Sequence, residues 1–419
     1  MIHVPSLEMP WGIEIYALPE VPKRWPGMEV GPRQVFAPTL ASDNCFVQVR
    51  KWISECVNTH THVACQQSAM PVLPSRVLDV GVTSSIPDLR LLTTHGKSGK
   101  YIDLSHRWGI DQTFSTKKAS LLERENSIDF DALPKTFQDA VIVARSIDVR
   151  YLWIDSLCII QDDAEDWEKE SSKMGQIYTD AFLTIAAASA SSDLEGFLLH
   201  RESVAGLRLH SIENTSGEPD IIAQRQVIHS VGERDPDDEK IPLWSRAWTL
   251  QEDILSRRLL TYHYDEMTWE CNTVPRCECG SALFLETDFT GPRVRALVQK
   301  SLHTSKTSQV SQEPGCHLLN SHTELYSVWR GLVARYTTRN LTKRSDTLAA
   351  LSGIATTMQY SLKDQYIGGI WKGDLIRELV WGVAFHYTNC VSFGQLPSDY
   401  RAPSFCWASI DVSAPFCHQ

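Results

Sequence analysis

The feature that most constrains the fold is an alternation of apolar and amphipathic segments in the middle of the chain. Three short apolar segments, at residues 101–108, 151–160 and 182–188, have the length and composition of buried strands. Between them, apolar residues recur at helical spacing, once after Pro134 and once around Trp167. Strand–helix–strand–helix–strand patterns are typical of parallel sheets with right-handed crossovers. The sequence therefore predicts an α/β fold in which helices flank a parallel sheet.

The pattern divides the chain into three parts. Residues 1–70 are irregular, with one amphipathic stretch at 46–56 that predicts a helix, and they form an N-terminal extension. Residues 71–275 carry the α/β pattern, interrupted by a polar insertion at about 202–240. Residues 276–419 begin with a Ser/Thr/Gln-rich insertion and continue into a region predicted to be mostly helical.

Further elements follow from the same periodicities. Paired strands are predicted at 73–81 and 89–92, and a helix at 244–258 with a strand or hairpin after it at 259–270. The predicted helices of the C-terminal region are at 325–336, 346–360 and 375–385.

Composition and charge exclude several function classes. The net charge of −11 argues against a nucleic-acid-binding protein, which normally presents a basic face. No apolar run approaches the roughly 20 residues that span a bilayer, and the N-terminus has no secretory signal pattern. The 11 cysteines are odd in number and scattered, unlike a secreted disulfide scaffold. We therefore expect a cytoplasmic protein without a membrane span.

Two cysteine-containing groups have ligand-like residues. One is Cys56, His60, His62 and Cys65, and the other is Cys271, Cys277 and Cys279. Neither has the paired C-x-x-C spacing of a strong zinc motif, so we expect packing of free thiols and predict no metal. No glycine-rich phosphate loop follows a strand, which argues against P-loop and Rossmann chemistry.

Several phrases of the sequence resemble a known family. They are LSHRWG at 104–109, the long stretch at 133–187, SRAWTLQEDILSRRLL at 245–260, and shorter phrases at 346–355, 371–375 and 403–409. Together these phrases are similar to the fungal heterokaryon-incompatibility (HET) domain. The resemblance implies a cell-death effector that works with a protein partner or by self-association.

The HET domain in turn resembles TIR domains distantly, which makes the predicted sheet TIR-like. Some TIR domains cleave NAD with a glutamate in a helical W-x-x-x-E motif, and Trp248 and Glu252 have that spacing. Residues four apart on a helix lie on one face, so these two side chains should project together. The resemblance implies Glu252 as the catalytic residue. The alternative is that Trp248 packs in the core while Glu252 pairs at the surface.

Six further residues are predicted to bind the substrate. Arg107 and Arg246 suit a pyrophosphate, because guanidinium groups chelate phosphate oxygens. Trp108 and Trp248 offer flat aromatic faces, and Asp155 lies in an apolar segment where an unpaired charge is costly. Ser105 begins a polar triplet at the end of the first central strand, where TIR domains carry a similar one. For each of these residues, core packing or an ion pair is the competing interpretation, and a Cys158–His106 thiol dyad is a rival site.

Three functions therefore remain open. The first is an incompatibility effector that cleaves NAD, with NAD as a substrate and no cofactor. The second is a non-catalytic signalling module that works by self-association. The third is an enzyme of specialised metabolism that uses the same scaffold for another small molecule.

Overall fold

The computed structural model describes the central region almost continuously and the ends of the chain in part. The described residues are 13–17, 23–25, 28–30, 36–60, 65–66, 69–81, 89–109, 114–201, 207–209, 221–225, 241–280, 292–303, 322–383, 396–411 and 416–418.

Strands and helices alternate through the centre, and helices dominate after it. The strands are β1 (Ile13–Tyr16), β2 (Lys23–Trp25), β3 (Met28–Val30), β4 (Arg76–Asp79), β5 (Arg90–Thr93), β6 (Tyr101–Ser105), β7 (Tyr151–Trp153), β8 (Leu183–Ala186), β9 (Leu207–Leu209), β10 (Ile221–Arg225), β11 (Arg258–Tyr262), β12 (Met267–Cys271), β13 (Pro275–Cys277), β14 (Tyr366–Ile367), β15 (Ile370–Trp371), β16 (Trp381–Val383) and β17 (Phe416–His418). The helices are α1 (Asp43–Thr59), α2 (Leu121–Asn126), α3 (Lys135–Ser146), α4 (Asp155–Cys158), α5 (Ala164–Ser171), α6 (Met174–Asp180), α7 (Trp248–Leu255), α8 (Pro292–His303), α9 (His322–Thr337), α10 (Ala349–Leu362) and α11 (Leu375–Glu378).

The largest sheet in the described part of the chain has eight strands, in the order β13-β12-β11-β8-β6-β7-β4-β5. Its four middle strands, β11, β8, β6 and β7, run parallel. The outer strands on both sides are joined antiparallel. The predicted α/β fold with flanking helices and a helical C-terminal region is confirmed, and the parallel pattern is confined to the middle of a mixed sheet.

The central elements form where the apolar periodicity predicted them. All five residues of β6 are buried, as expected for a strand covered on both faces. Helix α3 begins directly after Pro134 and buries Phe137, Ala140 and Ala144 on one face. Helix α1 starts at a Ser42 cap, whose hydroxyl accepts the Cys45 backbone N–H at 3.3 Å.

The predicted strand at 151–160 is wrong beyond Trp153. The chain leaves the sheet at Ile154, and Asp155 starts the one-turn helix α4. The Asp155 carboxylate accepts the N–H of Ser156 at 2.7 Å, which stabilises the first turn. Leu157 and Cys158 are buried in this turn, so the apolar run reflects burial rather than extension.

The predicted helix at 375–385 is also wrong after its first turn. Helix α11 ends at Glu378, and β16 follows, paired antiparallel with β17. This pairing with residues near the C-terminus is non-local, and tertiary pairing overrides a local helical pattern.

The two polar insertions contain regular structure. Within residues 202–240, β9 and β10 form a three-stranded sheet with the N-terminal β1, in the order β1-β10-β9, and the acidic stretch 233–240 lies outside the described residues. Helix α8 occupies part of the Ser/Thr/Gln-rich segment, of which 304–320 lies outside the described residues. Among the helices that the structure describes, none has the length and apolar character needed to cross a bilayer.

Candidate functional site

A cavity of about 530 Å³ lies beyond the carboxyl ends of the parallel strands. Trp108 follows β6, Asp155 follows β7, and both line it. Helix α7 and the turn before it add Arg246, Trp248 and Glu252. Ligands of open α/β sheets bind at this edge, because the loops after parallel strands converge there. The volume is in the range of pockets that hold small molecules.

Glu252 is the most deeply placed carboxyl group of the cavity, with 4% of its surface exposed. The Ser105 hydroxyl, at the end of β6, donates a hydrogen bond to its Oε2. Burial raises the pKa of Glu252 to about 7, and the Asp155 carboxylate adds to the rise, while Arg246 and Ser105 oppose it. Trp248 is half-buried and lines the same cavity, so the two motif residues project together as predicted.

The polar groups next to Glu252 are buried. Asp103, on the same face of β6 as Ser105, is fully buried, and burial raises the pKa of its carboxyl well above the ordinary value. The Ser256 hydroxyl, one helical turn after Glu252, donates to Thr184 Oγ1 at 2.6 Å. Glu252 therefore lies among groups that favour a neutral environment.

Asp155 is held in one orientation by the segment after β6 and by the next backbone N–H. The indole Nε1 of Trp108 donates to both carboxylate oxygens at 3.0 Å, and the Ser156 N–H donates to Oδ1. The Nδ1 atom of His106 lies 3.8 Å from Oδ1. Burial lowers the pKa of His106 to about 4, so its imidazole is neutral at pH 7. The Trp108 ring is thereby fixed as a wall of the cavity.

Arg246 supplies a positive charge beside Trp108 in the cavity. Its Nη1 donates to the His106 carbonyl oxygen at 2.5 Å, and its guanidinium lies 5.5 Å from the Trp108 ring. Arg107, predicted for the same role, is half-buried and does not line the cavity in the described part of the chain. The structure thus brings together five of the seven predicted residues around the cavity, adds Ser105 through its bond to Glu252, and leaves Arg107 outside.

A further wall of the cavity comes from the C-terminal region, which the sequence did not indicate. Asn340, Leu341 and Lys343 line the cavity there. The segment is attached through the backbone, because the Asn340 N–H donates to the Ser245 carbonyl at 2.6 Å and the Ala247 N–H donates to that of Asn340 at 2.9 Å. No local pattern around residue 340 signals such a contact.

A second group of lining residues had a usable signal. Gln161, Asp162 and Asp163 line the cavity in the loop after the apolar run that contains β7. Polar residues after a buried parallel strand are expected at the ligand-binding edge. Trp167, on α5, adds a further aromatic wall and has the Lys343 ammonium 5.7 Å from its ring.

The rival thiol dyad is not supported. Cys158 is buried, and burial raises the pKa of its thiol to about 12, so it is not a thiolate at neutral pH. His106 faces Asp155 and the Phe137 ring, and within the described residues no hydrogen bond joins its Nε2 to another group.

Residues 101–252 match the family model described as "Heterokaryon incompatibility protein (HET)". The match covers roughly a third of the chain and includes both Ser105 and Glu252. No curated protein and no solved structure shows significant similarity. The fold is thus that of an α/β protein whose central residues are similar to a HET domain. The HET domain supports a role in heterokaryon incompatibility and cell death, while the relation to TIR domains stays a prediction.

Replacing Glu252 by glutamine is expected to stabilise the fold by about 3 kcal/mol near pH 8. The pKa of this group rises from an ordinary 4.5 to about 7 on folding. The unfolded chain therefore loses the proton at lower pH than the folded chain. Ionisation of Glu252 destabilises the folded state increasingly as the pH rises from 4.5 to about 7, and the full effect is present above that pH. Urea unfolding checks the sign: near pH 5 the gain should fall below about 1 kcal/mol. An equal change at both pH values would contradict the burial of this group.

Proposed function

We propose that this chain is a heterokaryon-incompatibility or cell-death effector that cleaves the nicotinamide N-glycosidic bond of NAD in the cavity around Glu252. The observation that carries the proposal is a buried carboxyl group, held by Ser105, that faces a cavity with three tryptophans and an arginine. The cavity favours an enzyme over a purely self-associating module, since a module needs no enclosed pocket.

The chemistry requires one well-placed carboxylate. When the bond from the ribose C1′ to the nicotinamide nitrogen breaks, its electron pair neutralises the pyridinium, and the ribose becomes an oxocarbenium-like cation. A carboxylate next to C1′ stabilises this cation, as in glycosidases. Water then adds to C1′ and loses a proton, so the products are nicotinamide, ADP-ribose and H⁺.

The pKa of Glu252 suits this role. With a pKa of about 7, the group is partly ionised at neutral pH. The positive nicotinamide ring of bound NAD would favour the ionised form further, because an opposite charge nearby lowers a carboxyl pKa. The carboxylate form would then be present when the cationic transition state develops.

The other lining residues fit the remaining parts of the substrate. Trp248 and Trp108 offer faces on which a heterocycle can stack, and Arg246 can hold the pyrophosphate. Asp155, fixed by Trp108, can accept hydrogen bonds from ribose hydroxyls. The predicted role of Arg107 in phosphate binding stays a prediction. A specialised-metabolism enzyme would use the same cavity for a different small molecule.

The test is the NAD content and viability of yeast that expresses the chain. We expect the parent chain to deplete NAD and arrest growth, and Glu252→Gln at matched protein level to do neither. Glu378→Gln is the matched control: Glu378 is also buried, with its pKa raised to about 8, but it lies on α11, outside the cavity. It should act like the parent chain. Cell death with unchanged NAD, equal for the parent and Glu252→Gln, would exclude NAD cleavage and leave the signalling module.

A further inference from the structure

Four metal-ligating side chains from three separate segments converge beside the sheet edge. Cys56 lies in the last turn of α1, His60 follows that helix, Cys65 comes shortly after, and Cys271 ends β12. One ligand atom from each of the four residues lies within 4.8 Å of the other three. We propose that Cys56, His60, Cys65 and Cys271 bind a structural zinc ion in tetrahedral Cys₃His coordination.

The separations are those that zinc needs. Zn–S bonds of about 2.3 Å and Zn–N bonds of about 2.0 Å in a tetrahedron place neighbouring ligand atoms about 3.5–3.8 Å apart. The His60 Nδ1 atom lies 3.4 Å from the Cys271 sulfur. Small side-chain rotations would bring the remaining atoms to the ion, since all four already share one small volume.

Ligand chemistry favours zinc over the hard cations. Thiolate and imidazole ligands select zinc and other soft ions, whereas magnesium and calcium require oxygen ligands. Four protein ligands close the coordination shell, which is the mark of a structural rather than a catalytic zinc site. None of the four residues lines the cavity around Glu252, so this inference is independent of the proposed function.

Neither a disulfide nor simple packing accounts for the whole cluster. A disulfide would use two of the three cysteines and leave the third thiol and the imidazole without a role. Apolar packing can explain each buried thiol by itself. It does not explain why the half-buried His60 imidazole faces the buried Cys271 sulfur, because that contact is polar.

The surroundings stabilise thiolates. The Arg258 guanidinium donates to the Cys56 sulfur at 3.3 Å, and the Val274 N–H donates to the Cys271 sulfur at 3.5 Å. Arg258 is buried, so its charge is scarcely screened. A zinc ion with three thiolates carries a net charge of −1, which this cation offsets. Hydrogen bonds to the ligand sulfurs are the usual second layer of such sites.

The ion would fasten the N-terminal helix to the central sheet. Cys271 pairs in register with Arg258 on β11, whereas the other three ligands belong to α1 and the segment after it. His60 and Cys271 are 211 residues apart in the chain. Because the unfolded chain rarely brings such distant ligands together, the free energy of metal binding would stabilise the folded state.

The test is the metal content of the full chain produced in zinc-supplemented medium. We expect about one zinc ion per chain in the parent, and its loss in Cys271→Ser. Cys406→Ser is the matched control, because Cys406 is also a buried free cysteine but belongs to no group of metal-ligating side chains among the described residues. It should retain the metal. Absence of zinc from the parent, or retention in Cys271→Ser with loss in Cys406→Ser, would overturn the proposal.

A second measurement uses only the parent chain, so it does not depend on whether a variant folds. The parent chain loaded with Co²⁺ in place of zinc should show the visible bands of tetrahedral cobalt together with thiolate-to-cobalt charge transfer. Octahedral bands without charge transfer, or a disulfide between any two of Cys56, Cys65 and Cys271 found by mass spectrometry of the native chain, would refute the site.

Discussion

Purified chain with Glu252→Gln is expected to hydrolyse NAD at least about 10²-fold more slowly than the parent chain. Glutamine has nearly the same size and can still accept the hydrogen bond from Ser105, so the cavity should keep its shape. It cannot carry the negative charge that stabilises the oxocarbenium-like transition state. Release of nicotinamide, followed with increasing NAD concentration, measures the effect.

The division between kcat and KM identifies the role of the carboxylate. An interaction that is made only in the transition state lowers kcat and leaves KM nearly unchanged. We therefore expect the loss in kcat, and kinetics close to those of the parent for Glu378→Gln. A raised KM with unchanged kcat would instead assign Glu252 to substrate binding, and equal rates for all three proteins would exclude it from the site.

The centre of the fold was predictable because its patterns are local. Apolar segments of strand length and helices with one apolar face can be recognised within short windows, and β6, α3 and β8 lie where these patterns placed them. The run at 151–160 misled for a physical reason. Burial in a helical turn and burial in a strand require the same apolar residues, and only the hydrogen bond from Ser156 to Asp155 marks the turn.

The sequence predicted the candidate-site residues that belong to local motifs or to the ends of central strands, and it did not predict those contributed by a distant segment. Glu252, Trp248 and Arg246 follow from a motif on one helix and the turn before it, and Ser105 and Asp155 from the ends of neighbouring strands. The wall at 340–343 depends on backbone hydrogen bonds across a long sequence separation. Arg107 and Arg246 had equal chemical claims, and only the geometry separates them.

The cysteine clusters illustrate the same limit. Spacing along the chain placed Cys271 with Cys277 and Cys279, whereas the structure places it with Cys56, His60 and Cys65. The strand pairing that determines this contact joins β12 to β11, and α1 packs beside them. A motif divided between distant segments cannot show a standard ligand spacing.

Substitution of Arg295 by methionine is expected to destabilise the fold by about 3–5 kcal/mol. This side chain, on α8, is completely buried, and its Nη2 lies 2.7 Å from Asp253 Oδ1 and 3.5 Å from Glu270 Oε2. Its Nε also donates to the Asp253 carbonyl at 3.1 Å. Removing the guanidinium takes a buried positive charge away from two buried carboxyl groups, and desolvated charge of this kind is costly.

Urea unfolding of the full chain measures this effect, with Arg276→Met as the control. Arg276 is exposed on β13, and its loss should change the free energy of unfolding by less than about 0.5 kcal/mol. A change below about 1 kcal/mol for Arg295→Met would mean that the pair contributes little.

Because Asp253 follows Glu252 directly in α7, the predicted loss has a second consequence. Arg295 on α8 binds α7, the helix that carries Glu252. A mutation outside the residues matched to the HET family should therefore also destabilise the position of Glu252 in the candidate site.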